Sequence, residues 1–142
     1  MHKKWRKTGI IAWIDEDVDR IGMLVQPLED AGFRVLKYRT VHEALASLEQ
    51  IQEADLVLLD LILPTGREGE RQIRYAGKTV LRQLRELHKT KPPVVVLSVV
   101  ANEAILEKID RLGVSVILRK PILPYSLKET VEQVLARRTP QP

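Results

Sequence analysis

The sequence predicts an α/β protein built as a three-layer sandwich, in which one parallel sheet lies between two layers of helices. Five short runs rich in Val, Ile and Leu recur along the chain, and each has the length of a strand. The runs lack a clean alternation of apolar and polar residues, which is typical of strands buried on both faces of a parallel sheet. Segments with helical spacing separate them, as right-handed crossover connections require.

Local sequence patterns predict the bounds of the five strands and of the first helix. The first helix is predicted over 18–31, because Gly32 suits the left-handed residue that ends many helices. Pro27 lies inside this segment and removes one backbone hydrogen bond, so we expect a kink or an irregular start. The predicted strands are 10–14, 34–38, 56–59, 94–97 and 114–118.

Capping signals place the other helices. Thr40 followed by Glu43 is a capping-box pattern that opens a second helix to about residue 48, and Ser126 with Glu129 repeats the pattern for the last helix. Gly113 ends the fourth helix. The third and fourth helices are predicted over 79–88 and 102–112.

Length and composition indicate one globular domain over 1–142. The chain is 44% hydrophobic and 30% charged, which suffices for one core and leaves no room for a second domain. The basic start precedes an apolar run too short for a signal peptide or a membrane span, so we expect a cytoplasmic protein without membrane contact. The net charge of +4 comes from small clusters without interleaved aromatic residues, which favours solvated surfaces over direct nucleic-acid binding.

Polar groups follow four of the five predicted strands. Since ligands of parallel α/β sheets bind beyond the carboxyl ends of the strands, these groups are candidates for one site. The chain has no cysteine and its three histidines show no ligand spacing, so a metal here would be a hard cation on oxygen ligands. Clustered carboxylates repel one another unless such a cation neutralises them. The groups are Asp15, Glu16 and Asp17, then Asp60, then Ser98, then Arg119 and Lys120.

This set of groups matches the requirements of phosphoryl transfer, namely an oxygen nucleophile, a metal, a cationic side chain and a hydroxyl group. The motifs IIAWIDED, VLLDLILP, VVVLS and ILRKP resemble those of the response-regulator receiver domain of two-component signalling, over about residues 9–137. The resemblance implies a flavodoxin-like fold with strand order 2-1-3-4-5. It also implies a stand-alone phosphoacceptor switch rather than an enzyme.

The resemblance assigns a role to each strand-end residue. Asp60 is implied to be the phosphoacceptor, and Ser98 and Lys120 are implied to contact the phosphoryl group. The Lys120–Pro121 peptide is expected to be cis, as is typical of the family. A Mg²⁺ ion is expected on Asp15, Glu16, Asp60 and the backbone carbonyl of Ile62.

The resemblance also implies partners. The phosphodonor is expected to be a histidine kinase or a phosphotransfer protein, and the output is expected to be binding to a downstream effector protein. A homodimer through the face formed by the fourth helix, the fifth strand and the last helix is a further expectation. Between the third strand and the third helix, residues 65–76 form an insertion relative to the family, either a solvated loop or a contact surface.

Four apolar residues depart from the family pattern. Ile117 replaces the usual Tyr or Phe three residues before the lysine, and Val99 replaces the usual small residue after Ser98. Ile62 and Val100 stand two residues after Asp60 and Ser98, where branched apolar side chains exclude water, so we predict slow loss of the phosphoryl group.

Three other interpretations are weighed against the switch. A pseudo-receiver that keeps the fold as an interaction module without phosphorylation is the strongest alternative, given Val99 and Ile117. A phosphohydrolase of the haloacid-dehalogenase type would need a second Asp where Ile62 stands. A P-loop nucleotide-binding site is disfavoured, although residues 76–79 read AGKT, because no apolar strand leads into that loop.

Overall fold

A computed structural model describes residues 9–64, 66, 75–87, 92–100 and 102–138, without the side chains of residues 87 and 138. The basic start, most of the 65–76 insertion and the tail from residue 139 lie outside these ranges. The described chain forms a five-stranded parallel sheet in the order β2-β1-β3-β4-β5. The predicted fold class and strand order are confirmed.

The strands agree closely with the apolar runs. Strands β3 and β4 extend one residue beyond the prediction, so that Asp60 and Ser98 belong to the sheet. Strand β5 begins two residues later than predicted, because Gly113 turns the chain with a φ of 83° and Ser115 bonds to the Val94 carbonyl before the ladder starts. The strands are β1 (Gly9–Ile14), β2 (Phe33–Tyr38), β3 (Leu56–Asp60), β4 (Val94–Ser98) and β5 (Val116–Arg119).

The first two predicted helices are shorter than expected. Helix α1 (Gly22–Asp30) contains Pro27 and is preceded by turns, which is the irregular start predicted for this proline. The second predicted helix is two helices, α2 (Val41–Ala46) and α3 (Leu48–Gln52), because Ser47 has a non-helical φ of −125°.

The capping predictions have different outcomes. The Thr40 side chain accepts a hydrogen bond from the Glu43 amide at 3.0 Å, which confirms the first cap. The prediction for Ser126 and Glu129 is wrong, because the last helix begins two residues earlier at Pro124, a residue well suited to the first helical position. The remaining helices are α4 (Gly77–Leu87), α5 (Glu103–Asp110) and α6 (Pro124–Arg138).

Two apolar clusters cover the two faces of the sheet. One packs Ile14, Leu59 and Val96 of the strands with buried residues of α2, α4 and α5. The other packs Trp13 and Leu58 with buried residues of α1 and α6. Since each fully buried large aliphatic side chain stabilises a fold by about 1.5–3 kcal/mol, these layers hold the strand ends in fixed positions.

Candidate functional site

The buried polar side chains of the described residues gather at the carboxyl edge of the sheet. They are Asp15, Asp60 and Ser98, with exposed fractions of 0%, 7% and 1%. Asp15 follows β1, while Asp60 and Ser98 are the last residues of β3 and β4. Because these three strands are neighbours in one parallel sheet, their ends meet.

Lys120, which follows β5, joins two of these residues. Its ammonium Nζ atom lies 2.9 Å from Oδ2 of Asp15 and 3.1 Å from Oδ2 of Asp60. The Lys120 amide also donates to the Ser98 carbonyl at 2.9 Å, and the Lys120–Pro121 peptide is cis, as expected. The predicted strand-end lysine and two of the predicted acids therefore form one cluster.

Local turns fix the second oxygen of each carboxylate. Oδ1 of Asp60 accepts a hydrogen bond from the Ile62 amide at 3.0 Å, and Oδ1 of Asp15 accepts one from the Asp17 amide at 2.9 Å. Each acid thus bonds to the amide two residues later, as Asp side chains do in turns. The backbone thereby orients both carboxylates.

The cluster carries unbalanced charge. Burial is the main cause that raises the pKa of Asp60, and repulsion from Asp15 adds to it, against the opposing effects of the Ile62 amide and Lys120. Burial acts to lower the pKa of Lys120, but its hydrogen bond to Asp15 and the charges of Asp60 and Asp15 raise that pKa overall. One ammonium faces two buried carboxylates, so one negative charge is left uncompensated.

The Ser98 side chain faces a backbone donor. Its Oγ accepts a hydrogen bond from the Val100 amide at 2.8 Å. A hydroxyl group that accepts one bond still has a proton to donate, which suits it to bind a phosphoryl oxygen. Of the two residues predicted to contact the phosphoryl group, Lys120 bonds directly to Asp60, whereas Ser98 lies at the end of the adjacent strand β4.

The predicted metal ligands are only partly gathered. Glu16 is exposed beside the buried Asp15, and no group of three or more acidic or histidine side chains within the described ranges is arranged to hold a metal ion. Even so, two buried carboxylates with one negative charge in excess and only oxygen donors fit a hard divalent cation such as Mg²⁺. The residues present therefore fit the metal.

Apolar side chains flank the site. Ile62 is 45% exposed and Val99 is 58% exposed, and they follow the strands that end at Asp60 and Ser98. Ile117 of β5 is half-buried against the α2–α5 face of the core. The position where the family carries a mobile aromatic ring is thus filled by a packed aliphatic side chain.

Sequence reasoning missed an ionic cluster at the same edge. Arg39, which follows β2, donates to Asp19 and also pairs with Glu43 at 3.7 Å. The hydrogen bond from Arg39 lowers the pKa of Asp19. This cluster connects the turn after Asp15 to α2. Arg39 follows a strand, so the search for polar groups at strand ends that identified Asp60 could also have identified Arg39.

Comparison with known proteins identifies the family that the sequence is similar to. The family model described as "Response regulator receiver domain" matches residues 11–132. No curated protein matches the sequence. No helix within the described part of the chain is both long enough and apolar enough to cross a membrane.

Solved structures share the fold at low sequence identity. A signal receiver domain of a putative Luxo repressor protein from Vibrio parahaemolyticus matches with a TM-score of 0.75 and 19% identity, over 92% of each chain. A response regulator from Thermotoga maritima matches with a TM-score of 0.70 and 24% identity, over 91% of this chain and 98% of that one. A CheY-like receiver domain protein from Methanospirillum hungatei JF-1 matches with a TM-score of 0.73 and 23% identity, over 90% of this chain and 94% of that one.

These structural likenesses show the fold, and the family model covers most of the chain. Because that model spans the strand ends that gather Asp15, Asp60, Ser98 and Lys120, the chain belongs to the response regulator receiver domain family of two-component signalling.

Proposed function

We propose that this receiver domain is a phosphoacceptor switch whose phosphoryl group is carried by Asp60. The observation that carries the proposal is the single Lys120 ammonium shared by Asp15 and Asp60 at the carboxyl edge of the sheet. A carboxylate held at a fixed position, with a cation beside it to offset phosphoryl charge, is prepared for attack on an electrophilic phosphorus atom.

The transfer forms a bond between an Asp60 carboxylate oxygen and phosphorus while the bond from phosphorus to the donor's nitrogen or oxygen breaks. The donor group leaves with the bonding electron pair. Lys120 offsets the charge that builds on the phosphoryl oxygens, and the Ser98 hydroxyl donates to one of them. Stabilisation of this kind by positioned donors is usually the largest single contribution to such a reaction.

Asp15, Glu16, Asp60 and the Ile62 carbonyl would hold Mg²⁺, which supplies charge neutralisation for the phosphoryl oxygens when bound. Asp15 and Asp60 are already oriented by the amides of Asp17 and Ile62. Glu16 is exposed, so its carboxylate would be free to turn toward the ion.

A protein donor suits the surface around Asp60 better than a small anion does. The large exposed apolar side chains of the described residues all lie at the carboxyl edge of the sheet, either just after a strand or near the start of a helix. Such side chains are typical of an interaction site. We therefore infer a histidine kinase or a histidine phosphotransfer protein as the donor. The apolar residues are Met23, Ile62, Val99, Leu123 and Tyr125.

The output is binding to an effector protein, and the face formed by α5, β5 and α6 is the surface we propose for it or for a homodimer. Ile117 lies in β5 on this face and packs on the core. An aliphatic side chain at this position cannot report phosphorylation by rotation of an aromatic ring. We expect the change to be carried by the β4–α5 segment that follows Ser98.

Intact mass measurement tests the proposal. The protein is incubated with Mg²⁺ and acetyl phosphate, beside Asp60→Asn and the control Asp110→Asn, whose carboxylate is exposed at the end of α5. One added phosphoryl group in the wild type and the control, absent in Asp60→Asn, supports the switch. Its absence from all three, with a histidine-phosphorylated donor protein as well, contradicts it.

A pseudo-receiver is the second candidate, favoured by the exposed Val99 side chain beside Ser98. In this alternative the edge of the sheet binds a partner without chemistry at Asp60. The donor-protein experiment separates the two functions, because a pseudo-receiver accepts no phosphoryl group from either kind of donor.

A further inference from the structure

Helix α4 begins directly against the backbone that carries Asp60. The amide of its first residue, Gly77, donates to the Leu61 carbonyl at 2.9 Å. A Cβ atom on Gly77 would lie 2.2 Å from the Asp60 carbonyl oxygen and 2.8 Å from the Leu61 Cα atom. Cβ atoms essentially never approach another heavy atom within 3.0 Å, so the helix lies here only because residue 77 has no side chain.

This contact cannot be relieved by a side-chain rotation, since the atoms opposite Gly77 belong to the backbone. An Ala side chain would force the helix and the Asp60–Leu61 peptide apart by about 0.8 Å. The Asp60 carboxylate lies between the Ile62 amide and the Lys120 ammonium, and both hydrogen bonds depend on where that peptide lies. The first residue of α4 therefore determines the position of the phosphoacceptor.

The chain enters α4 through an unusual conformation. Tyr75 has a φ of 59°, in the left-handed region that large side chains rarely occupy. Such strain persists where the surrounding structure fixes it, and it is concentrated near functional sites. Ala76, between Tyr75 and Gly77, is buried. The sharp entry brings Gly77 onto the Asp60 peptide.

The other end of α4 is also held in place. The half-buried Arg85 guanidinium donates to the Leu112 carbonyl at 3.1 Å and to the Gly113 carbonyl at 2.9 Å, just after α5. It also donates to the Pro92 carbonyl, at 3.4 Å, just before β4. Since the middle of the helix is buried in the core as well, α4 cannot shift without breaking one of these contacts.

We propose that helix α4 positions the Asp60 carboxylate for phosphoryl transfer, with Gly77 as the positioning residue at its first turn and Arg85 as the anchor at its last. This inference rests on the proposed function of Asp60. It adds a residue that acts through the Asp60 backbone and not by contact with the phosphoryl group.

The test compares Gly77→Ala with Gly22→Ala. Gly22 is the matched control because it is the first residue of α1, and a Cβ atom there meets nothing within 4 Å. Two quantities are measured in each protein at a temperature well below its unfolding transition. The first is the amide resonance and hydrogen exchange of Ile62, which bonds to the Asp60 carboxylate. The second is the rate of phosphorylation with Mg²⁺ and a saturating donor.

We expect Gly77→Ala to shift the Ile62 amide resonance and to slow phosphorylation by about 10-fold to 100-fold, because a misplacement of about 1 Å reduces rates by about 100-fold. Gly22→Ala should leave both quantities unchanged. An unchanged Ile62 resonance and rate in folded Gly77→Ala overturn the inference, even if the wild type is phosphorylated normally. If the wild type accepts no phosphoryl group, the proposed function fails and the Ile62 resonance alone decides the positioning role.

Arg85→Met provides the second variant if Gly77→Ala does not fold, with the exposed Arg82→Met on the same helix as its control. Loosening the distant end of α4 should reduce the protection of the Ile62 amide from exchange and slow phosphorylation, although Arg85 lies far along the helix from Gly77. A loss of thermal stability without either change indicates a structural role only and overturns the inference.

Discussion

The Lys120 ammonium lies 3.1 Å from the Asp60 carboxylate, although 60 residues separate them in the sequence. The same ammonium lies 2.9 Å from Asp15, so it is the cation that two buried acids share. The contact exists because β3 and β5 flank β4 in one parallel sheet and both chains emerge at its carboxyl edge.

Replacing Lys120 by Met should destabilise the protein by about 3–5 kcal/mol, because removing one partner of a buried pair leaves uncompensated charge. Urea unfolding measures the change. Lys128→Met is the control, since Lys128 makes a partly exposed pair with Glu132 on α6 and should change stability by less than about 1 kcal/mol. Adding Asp60→Asn to Lys120→Met should recover part of the loss, and strict additivity of the two substitutions would contradict the coupling.

Asp60→Asn alone should stabilise the protein at neutral pH, by about 1.4 kcal/mol for each pH unit by which the pKa of Asp60 in the folded protein exceeds its ordinary value. The pKa of Asp60 is raised in the folded state, mainly by burial, so its ionised form opposes folding. This penalty is absent below the ordinary aspartate pKa of 3.8 and is fully present above the higher pKa of the folded protein.

The stability difference between Asp60→Asn and the wild type should therefore grow as the pH rises from 3.8 to the higher pKa of Asp60 in the folded protein. Lys120 does not contribute to this change, because its raised pKa alters stability only above its ordinary value of 10.5. Thermal unfolding from pH 4 to pH 8 tests the prediction. A wild type that gains stability over Asp60→Asn with rising pH contradicts it.

Ser98→Ala should destabilise the protein by about 1–3 kcal/mol, because the buried Val100 amide would lose its acceptor. It should also slow phosphorylation of Asp60 by about 100-fold, the effect of removing one positioned donor. Ser98→Thr keeps the hydroxyl group and serves as the control. If Ser98→Ala and Ser98→Thr react at equal rates, the hydroxyl does not take part in transfer.

Val99→Ala should speed phosphorylation by acetyl phosphate several-fold and should not speed phosphorylation by a protein donor, because Val99 is part of the apolar surface proposed to bind that donor. The exposed Val99 side chain lies next to Ser98, where it narrows access for a small donor, and its truncation should change stability by less than about 0.5 kcal/mol. Val99→Leu keeps the bulk and is the control. Equal rates for Val99→Ala and Val99→Leu with acetyl phosphate would rule out steric control at this position.

The sequence alone predicted the layers and the sheet, because runs of buried aliphatic residues leave few alternatives for where a strand can lie. It also predicted that Asp15, Asp60 and Lys120 would meet, since the ends of parallel strands lie at one edge. Capping patterns were less reliable. Thr40 caps a helix as predicted, whereas Ser126 lies inside α6 because Pro124 starts that helix earlier.

Only the tertiary structure decided which atoms make contact. The sharing of Lys120 by two acids, the exposed position of Glu16 and the approach of Gly77 to the Asp60 peptide depend on distances between segments far apart in the chain. Local patterns determine which element a residue joins and which face it buries. They do not determine how closely two backbones approach, because the packing of the whole core sets that distance.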